Sequence, residues 1–243
     1  AKDTLATWKA PAGVALNSDF TVKVRLQDGV WHTLSSYLIK VDEVRDTRHY
    51  VENASMVIFD FTGKVEVAVT YNLGEVQTAK VRPLSYDIPF QIDGNTVTFT
   101  LEHPRNLSVE VNGDIFHNLH LFTGSPERTI PDKDNPEVIY FGPGIHTVKN
   151  GELRVPSGKT VYLAGGAVLM GRVLIENVHD VKLLGRGIID HSIKGGIRIA
   201  NSRDVYVEGI VATQCATGGS ENVTIRNVKS ISYYGWGDGM NVF

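Results

Sequence analysis

Only one cysteine, Cys215, occurs in the 243 residues, so no disulfide can form within the chain and the redox compartment leaves no mark on it. A lone cysteine without a basic or histidine neighbour reads as a small buried hydrophobe rather than a reactive thiol. Long apolar runs are missing too: none approaches the roughly 18 residues a membrane span needs, so no membrane partner is expected. A basic excess is also lacking. With 24 Lys and Arg against 27 Asp and Glu, the net charge of −3 argues against nucleic acid and favours a neutral substrate over a polyanion. Helical periodicity is almost absent. The chain starts at Ala1 rather than Met, which fits removal of a secretory signal, and equally a trimmed chain; an extracellular or periplasmic location is the expectation.

What the chain has in quantity is period-two alternation. It runs through Phe20–Leu26, Met56–Phe61, Val65–Val69, Thr96–Leu101 and Leu107–Val111, each with one set of side chains for a buried face and one for water. Turn signals such as Asp28-Gly29, Thr62-Gly63 and Asp93-Gly94 separate these runs and supply the positive φ of tight hairpins. Residues 1–124 therefore read as an antiparallel β-sandwich domain. Residues 125–136 hold three prolines and an Asp-Lys-Asp run with no apolar periodicity, which predicts a linker.

From residue 137 to 243 the rhythm changes to short strands that repeat. Ile175–Leu183, Ile199–Val207 and Gly219–Ile225 align with one another, each placing Asp or Asn before an apolar-x-apolar triplet. The 24 residues from Val181 to Val205 match one coil of a parallel β-helix, whose stacked turns bury an apolar column. Val205 to Val223 spans only 18, so either that coil is short or a loop near Thr213–Ser220 is missing; a missing loop is expected. The glycines between Val155 and Leu169 suit sharp corners of the opening coils, and the whole chain reads as all-β. Pro156-Ser157-Gly158-Lys159-Thr160 lacks the upstream glycine and following helix of a phosphate-binding loop. His117 and His120, three apart on a strand, point to opposite faces and make no metal pair.

Phe141–His146, Val161–Val168, Leu184–Asp190 and the repeated Asn-x-x-Asp/Asn-Val phrases resemble the β-helical glycoside hydrolases, which include the polygalacturonases of family 28 and the dextranases and isopullulanases of family 49. A sandwich ahead of the helix looks more like the dextranase side of that group, or like bacterial polygalacturonase-like relatives that carry such a domain. The resemblance implies a right-handed parallel β-helix, of which this chain carries the opening coils. It also implies inverting acid–base hydrolysis of a polysaccharide or oligosaccharide, without metal or organic cofactor. Tyr233–Phe243 resembles the family's Asn-Thr-Asp-Gly-Ile-Asp phrase, with Asp238 matching its first catalytic aspartate. Gly237 stands where Thr is usual, and Asn241 where a second Asp is common. The sequence stops before the paired-aspartate, Gly-His-Gly and Arg-Ile-Lys phrases that the family carries on following coils, so part of such an active site is expected to be lacking from it. Tyr233, Tyr234 and Trp236 fit either a sugar-stacking platform or ordinary packing, and they join Asn241 as substrate-binding candidates. Asp190-His191 belongs to a phrase the family uses at a coil corner, which implies a structural role.

Two alternatives stand beside the hydrolase. One is a non-catalytic carbohydrate-binding or structural β-helix protein with the sandwich as a binding module. The other is a polysaccharide lyase, which needs a Ca²⁺ site or a Lys/Arg base; neither a carboxylate cluster nor a basic groove is evident. A helix ending at an open coil exposes unpaired backbone groups over its apolar column, so self-association through that end is expected.

Overall fold

The computed structural model describes residues 2–27, 29–190, 196–212, 215–230 and 240–242, with side chains for all of these except 42–45, 49 and 240–242. Two compact units divide the chain. The first comprises Ala1–Lys9, Val14–Glu43 and Tyr50–Pro126; the second comprises Ala10–Gly13, Val44–His49 and Glu127–Phe243. Among the described residues the only helical element is a three-residue 3₁₀ turn at Leu84–Tyr86.

The first unit is a two-sheet, sandwich-like arrangement. Its strands are β1 (Thr4–Thr7), β2 (Phe20–Leu26), β3 (His32–Thr33), β4 (Tyr37–Arg45), β5 (Arg48–Thr62), β6 (Val65–Tyr71), β7 (Ala79–Arg82), β8 (Phe90–Asp93), β9 (Thr96–Leu101), β10 (Leu107–Val111) and β11 (Asp114–Gly124). One sheet runs β3-β2-β6-β9-β8 and is antiparallel throughout. The other runs β1-β5-β11-β10-β7, with β4 beside β5, and its β5–β11 pair is parallel. The alternation predicted for these runs is what the core uses: Val22, Val24, Val65, Val67, Val69, Val97 and Phe99 from the first sheet meet Val57, Phe59, Phe61, Val109, Leu119 and Leu121 from the second.

The second unit is a parallel β-helix of about four turns. It comprises β12 (Val138–Phe141), β13 (Gly144–Arg154), β14 (Thr160–Leu163), β15 (Ala167–Glu176), β16 (His179–Gly185), β17 (Ile188–Asp190), β18 (Ile197–Ala200), β19 (Arg203–Glu208), β20 (Val211–Ala212), β21 (Cys215–Gly218), β22 (Glu221–Arg226), β23 (Lys229–Ser230) and β24 (Met240–Val242). One sheet stacks β12-β14-β16-β19-β22 in strictly parallel register, with Val161, Leu183, Val207 and Ile225 in one column. The repeat visible in the sequence is this register, because Val181 sits opposite Val205 and Val205 opposite Val223.

The 18-residue coil keeps register with its neighbours, Val205 opposite Val223 and Ile197 opposite Cys215. Most of its difference in length lies at one corner. Six residues join β17 to β18, whereas two join β20 to β21, and Ile197 still pairs with Cys215. Cys215 is buried in the column, and burial pushes its thiol up to about 11, so it stays protonated at neutral pH.

The Asn-x-x-Asp repeat has a backbone cause. Asn177, Asn201 and Gly219 take positive φ at one point of successive coils, and Asp180, Asp204 and Asn222 do so three residues later. Asn and Asp tolerate this left-handed conformation better than other side chains. The stacked corner is tied vertically: Asn222 Nδ2 donates to Asp204 Oδ1 at 2.6 Å, and the Val178 N–H donates to Ser202 Oγ at 3.2 Å.

Candidate functional site

The Gly185-Arg186-Gly187 phrase builds a buried corner. Gly185 has φ +133°, and the Leu163 carbonyl lies against its Cα while accepting the N–H groups of Arg186 and Gly187 at 2.9 and 3.1 Å. Arg186 is buried, its Nη1 donating to the Gly185 carbonyl at 2.8 Å and its Nη2 lying 3.1 Å from Glu208 Oε1. Below it, buried Lys229 donates from Nζ to the Gly209 carbonyl at 3.0 Å. Each cation is held by carbonyls or a carboxylate, as burial of charge requires. The phrase is therefore structural. Asp190 closes β17 at the end of this run, and His191 lies outside the described residues.

Tyr233, Tyr234, Trp236 and Asp238 also lie outside the described residues; of Asn241 only the backbone is described. Their position in the chain is nevertheless defined. Residues 231–239 join β23, which pairs with β20, to β24, which pairs with β21. Position 241 lies opposite Ala216, in the register row that also holds Arg198 and Leu174.

That row borders a ladder of alternating charge. Arg172 contacts Glu152 at 2.6 Å, Glu152 contacts Arg154 at 3.6 Å, Arg154 contacts Glu176 at 3.3 Å, and Glu176 contacts Arg198 at 3.4 Å. Three arginines face two glutamates along this ladder, so each glutamate is shared between cations. Among the described residues no group of three or more His, Cys, Asp or Glu side chains is placed to hold a metal ion.

With two sandwiched sheets followed by stacked parallel coils, the architecture can be compared with known structures. Dex49A from Penicillium minioluteum, a family 49 dextranase, superposes with a TM-score of 0.63 at 15% identity, covering 95% of this chain and 62% of that one. The chain has the β-helical glycoside hydrolase fold. No protein-family model matches the sequence, and no curated protein does either. The chain spans about three-fifths of the length of Dex49A, and at this identity the likeness concerns the fold.

A second polar cluster lies in the first unit, where sequence reading set His117 aside only as half of a metal pair. His117 Nδ1 lies 2.8 Å from Asp114 Oδ2, and Nε2 lies 2.8 Å from Glu52 Oε2. The Asp114 hydrogen bond, opposed by burial, raises the imidazole above its ordinary 6.5. Burial pushes the Asp114 carboxyl upward, but the backbone N–H groups of His117 and Phe116 and the His117 ring outweigh it, so its value falls below 3.8. His120 differs: burial lowers it to about 4, keeping it neutral.

The raised His117 value adds stability below pH 6.5 that is lost as pH rises through the folded value; the lowered Asp114 value adds stability above 3.8 that is lost as pH falls through its folded value. Both contributions are complete between those limits. His117→Gln is therefore expected to destabilise the chain most near pH 4–6 and progressively less above, by under about 1 kcal/mol because the pair is partly solvated. Urea midpoints of both proteins at pH 5 and 9 test this, and an equal difference at the two pH values would count against it.

Proposed function

We propose that the chain belongs to a glycosidase that cleaves polysaccharide glycosidic bonds by inverting acid–base hydrolysis, dextranase- or polygalacturonase-like, with Asp238 as a catalytic carboxyl group. The observation that carries this is the fold likeness to Dex49A over 95% of the chain. It is supported by the match of Tyr233–Phe243 to the family phrase. Inversion needs an acid and a base about 6.5–9.5 Å apart, with room between them for water. Rungs of stacked strands lie about 4.8 Å apart, so carboxylates on one rung and the next reach that spacing with side-chain splay. Tyr233, Tyr234, Trp236 and Asn241 are the proposed sugar contacts. The net charge of −3 favours a neutral glycan over a polyanion.

The test is reducing-end release from dextran, pullulan and pectin fragments by the full-length protein, with the anomer of the first product read by proton NMR. Product of inverted configuration is expected; a retained configuration, or no release from any glycan, would overturn the proposal. Secretion and self-association through the last coil belong to the same proposal. Among the described residues β22 is the terminal strand of its sheet, and its Val223 and Ile225 are only half-buried. Light scattering of the 243-residue chain is expected to show a mass above one protomer, and a monodisperse monomer would refute this.

A further inference from the structure

The solvent face of the β3-β2-β6-β9-β8 sheet carries a groove of about 910 Å³, within the roughly 300–1,000 Å³ typical of small-molecule sites. Its floor is set by register. Arg25 faces Glu66, Glu66 faces Thr100, and in the next row Thr98 faces Gln91. Arg25 Nε donates to Glu66 Oε2 at 2.5 Å, so the planar groups on the floor are held in fixed orientation.

Aromatic rings flank this floor. The Arg25 guanidinium lies 4.4 Å over the Trp31 ring, and the Arg105 guanidinium lies 4.5 Å over that of Tyr86. His103 hydrogen-bonds Arg105 in turn. Both rings nevertheless remain 40% exposed. An aromatic ring kept partly bare yet pinned by a cation spends little entropy on binding, and it offers an apolar face to C–H surfaces.

We infer that this groove is a second, non-catalytic glycan site, taking a stretch of neutral oligosaccharide. Sugar hydroxyls both donate and accept, and the floor answers in kind: Arg25 donates, Glu66 accepts, and Thr98, Thr100 and Gln91 do both. The charge of the lining decides against acidic ligands. Glu66, Asp87 and Glu102 oppose Arg25 and Arg105, leaving no basic excess for a uronic acid or phosphate chain. The charged floor likewise disfavours a protein partner, whose interface core would be depleted of such residues.

The experiment is calorimetric titration of the 243-residue chain with isomalto-, malto- and cello-hexaose, an oligogalacturonate and an extended peptide. At least one neutral hexaose is expected to bind, with Trp31→Ala and Tyr86→Ala each weakening it tenfold or more and Trp31→Phe restoring most of the affinity. Gln91→Lys, on an exposed edge strand, is expected to weaken binding similarly and serves if either aromatic variant fails to fold. Asp238→Asn is expected to leave this binding intact. Groove binding by a wild-type protein that hydrolyses no glycan would count against the proposed catalysis alone. No binding of any neutral hexaose, binding indifferent to the groove variants, or preference for the oligogalacturonate or peptide would overturn the inference.

Discussion

Gly185→Ala is expected to lower the thermal midpoint of the β-helix unit by at least roughly 10 °C, at the 2–4 °C per kcal/mol usual for 150–250 residues. A Cβ at this position would lie 1.9 Å from the Leu163 carbonyl oxygen and 2.7 Å from its carbon, and neither atom belongs to a flexible side chain. The same oxygen accepts two N–H groups, so pushing it away loosens both bonds. Three costs add: about 1–3 kcal/mol for the backbone conformation, about 0.5–1.5 for each hydrogen bond, and about 1–3 for overpacking. Against a typical total stability of about 5–15 kcal/mol, that loss is severe. Gly144→Ala supplies the control. Gly144 has nearly the same φ, +131°, but nothing within 4 Å of where its Cβ would be, so only the backbone cost applies. Equal midpoints for the two variants, by calorimetry, would show that close approach at Gly185 is not what the corner depends on.

Asp238→Asn, in the full-length protein, is expected to reduce turnover by about 10²–10⁴, the usual worth of a positioned acid or base. The amide keeps the size and much of the hydrogen-bonding shape while removing the charge and the exchangeable proton, so the thermal midpoint should be unchanged. Reducing-end assays on whichever glycan the wild type cleaves provide the measurement. Full activity in the variant would remove Asp238 from the mechanism while leaving the fold assignment untouched, because that assignment rests on the stacked coils.

The β-helix was legible because it writes itself into the sequence vertically. Each coil repeats the same demands at the same points, so Asn177 and Asn201, or Val181 and Val205, announce a shared position without any structure. The 18-residue coil departs from the 24-residue period because the corners change length while the strands keep register. In the sandwich, alternation marked the strands but carried no information on partners, and the parallel β5–β11 pairing has no local signature. The groove was equally hidden. Arg25, Trp31, Glu66, Tyr86, Gln91 and Arg105 converge only through tertiary pairing, and their one local hint is aromatic side chains in turn-like stretches. Asp238 was found through resemblance alone, since an Asp before Gly is otherwise an ordinary turn residue.

The unequal corner connections have a design consequence. Six residues follow β17, two follow β20 and nine follow β23, yet the strands on either side stay paired coil to coil. The solenoid thus separates what must be uniform from what is free to diverge, and concentrates most of the divergence along one vertical edge. Chemistry can be rewritten along that edge without renegotiating the core. The two-residue connection after β20 is then the natural place for an engineer to graft a longer loop.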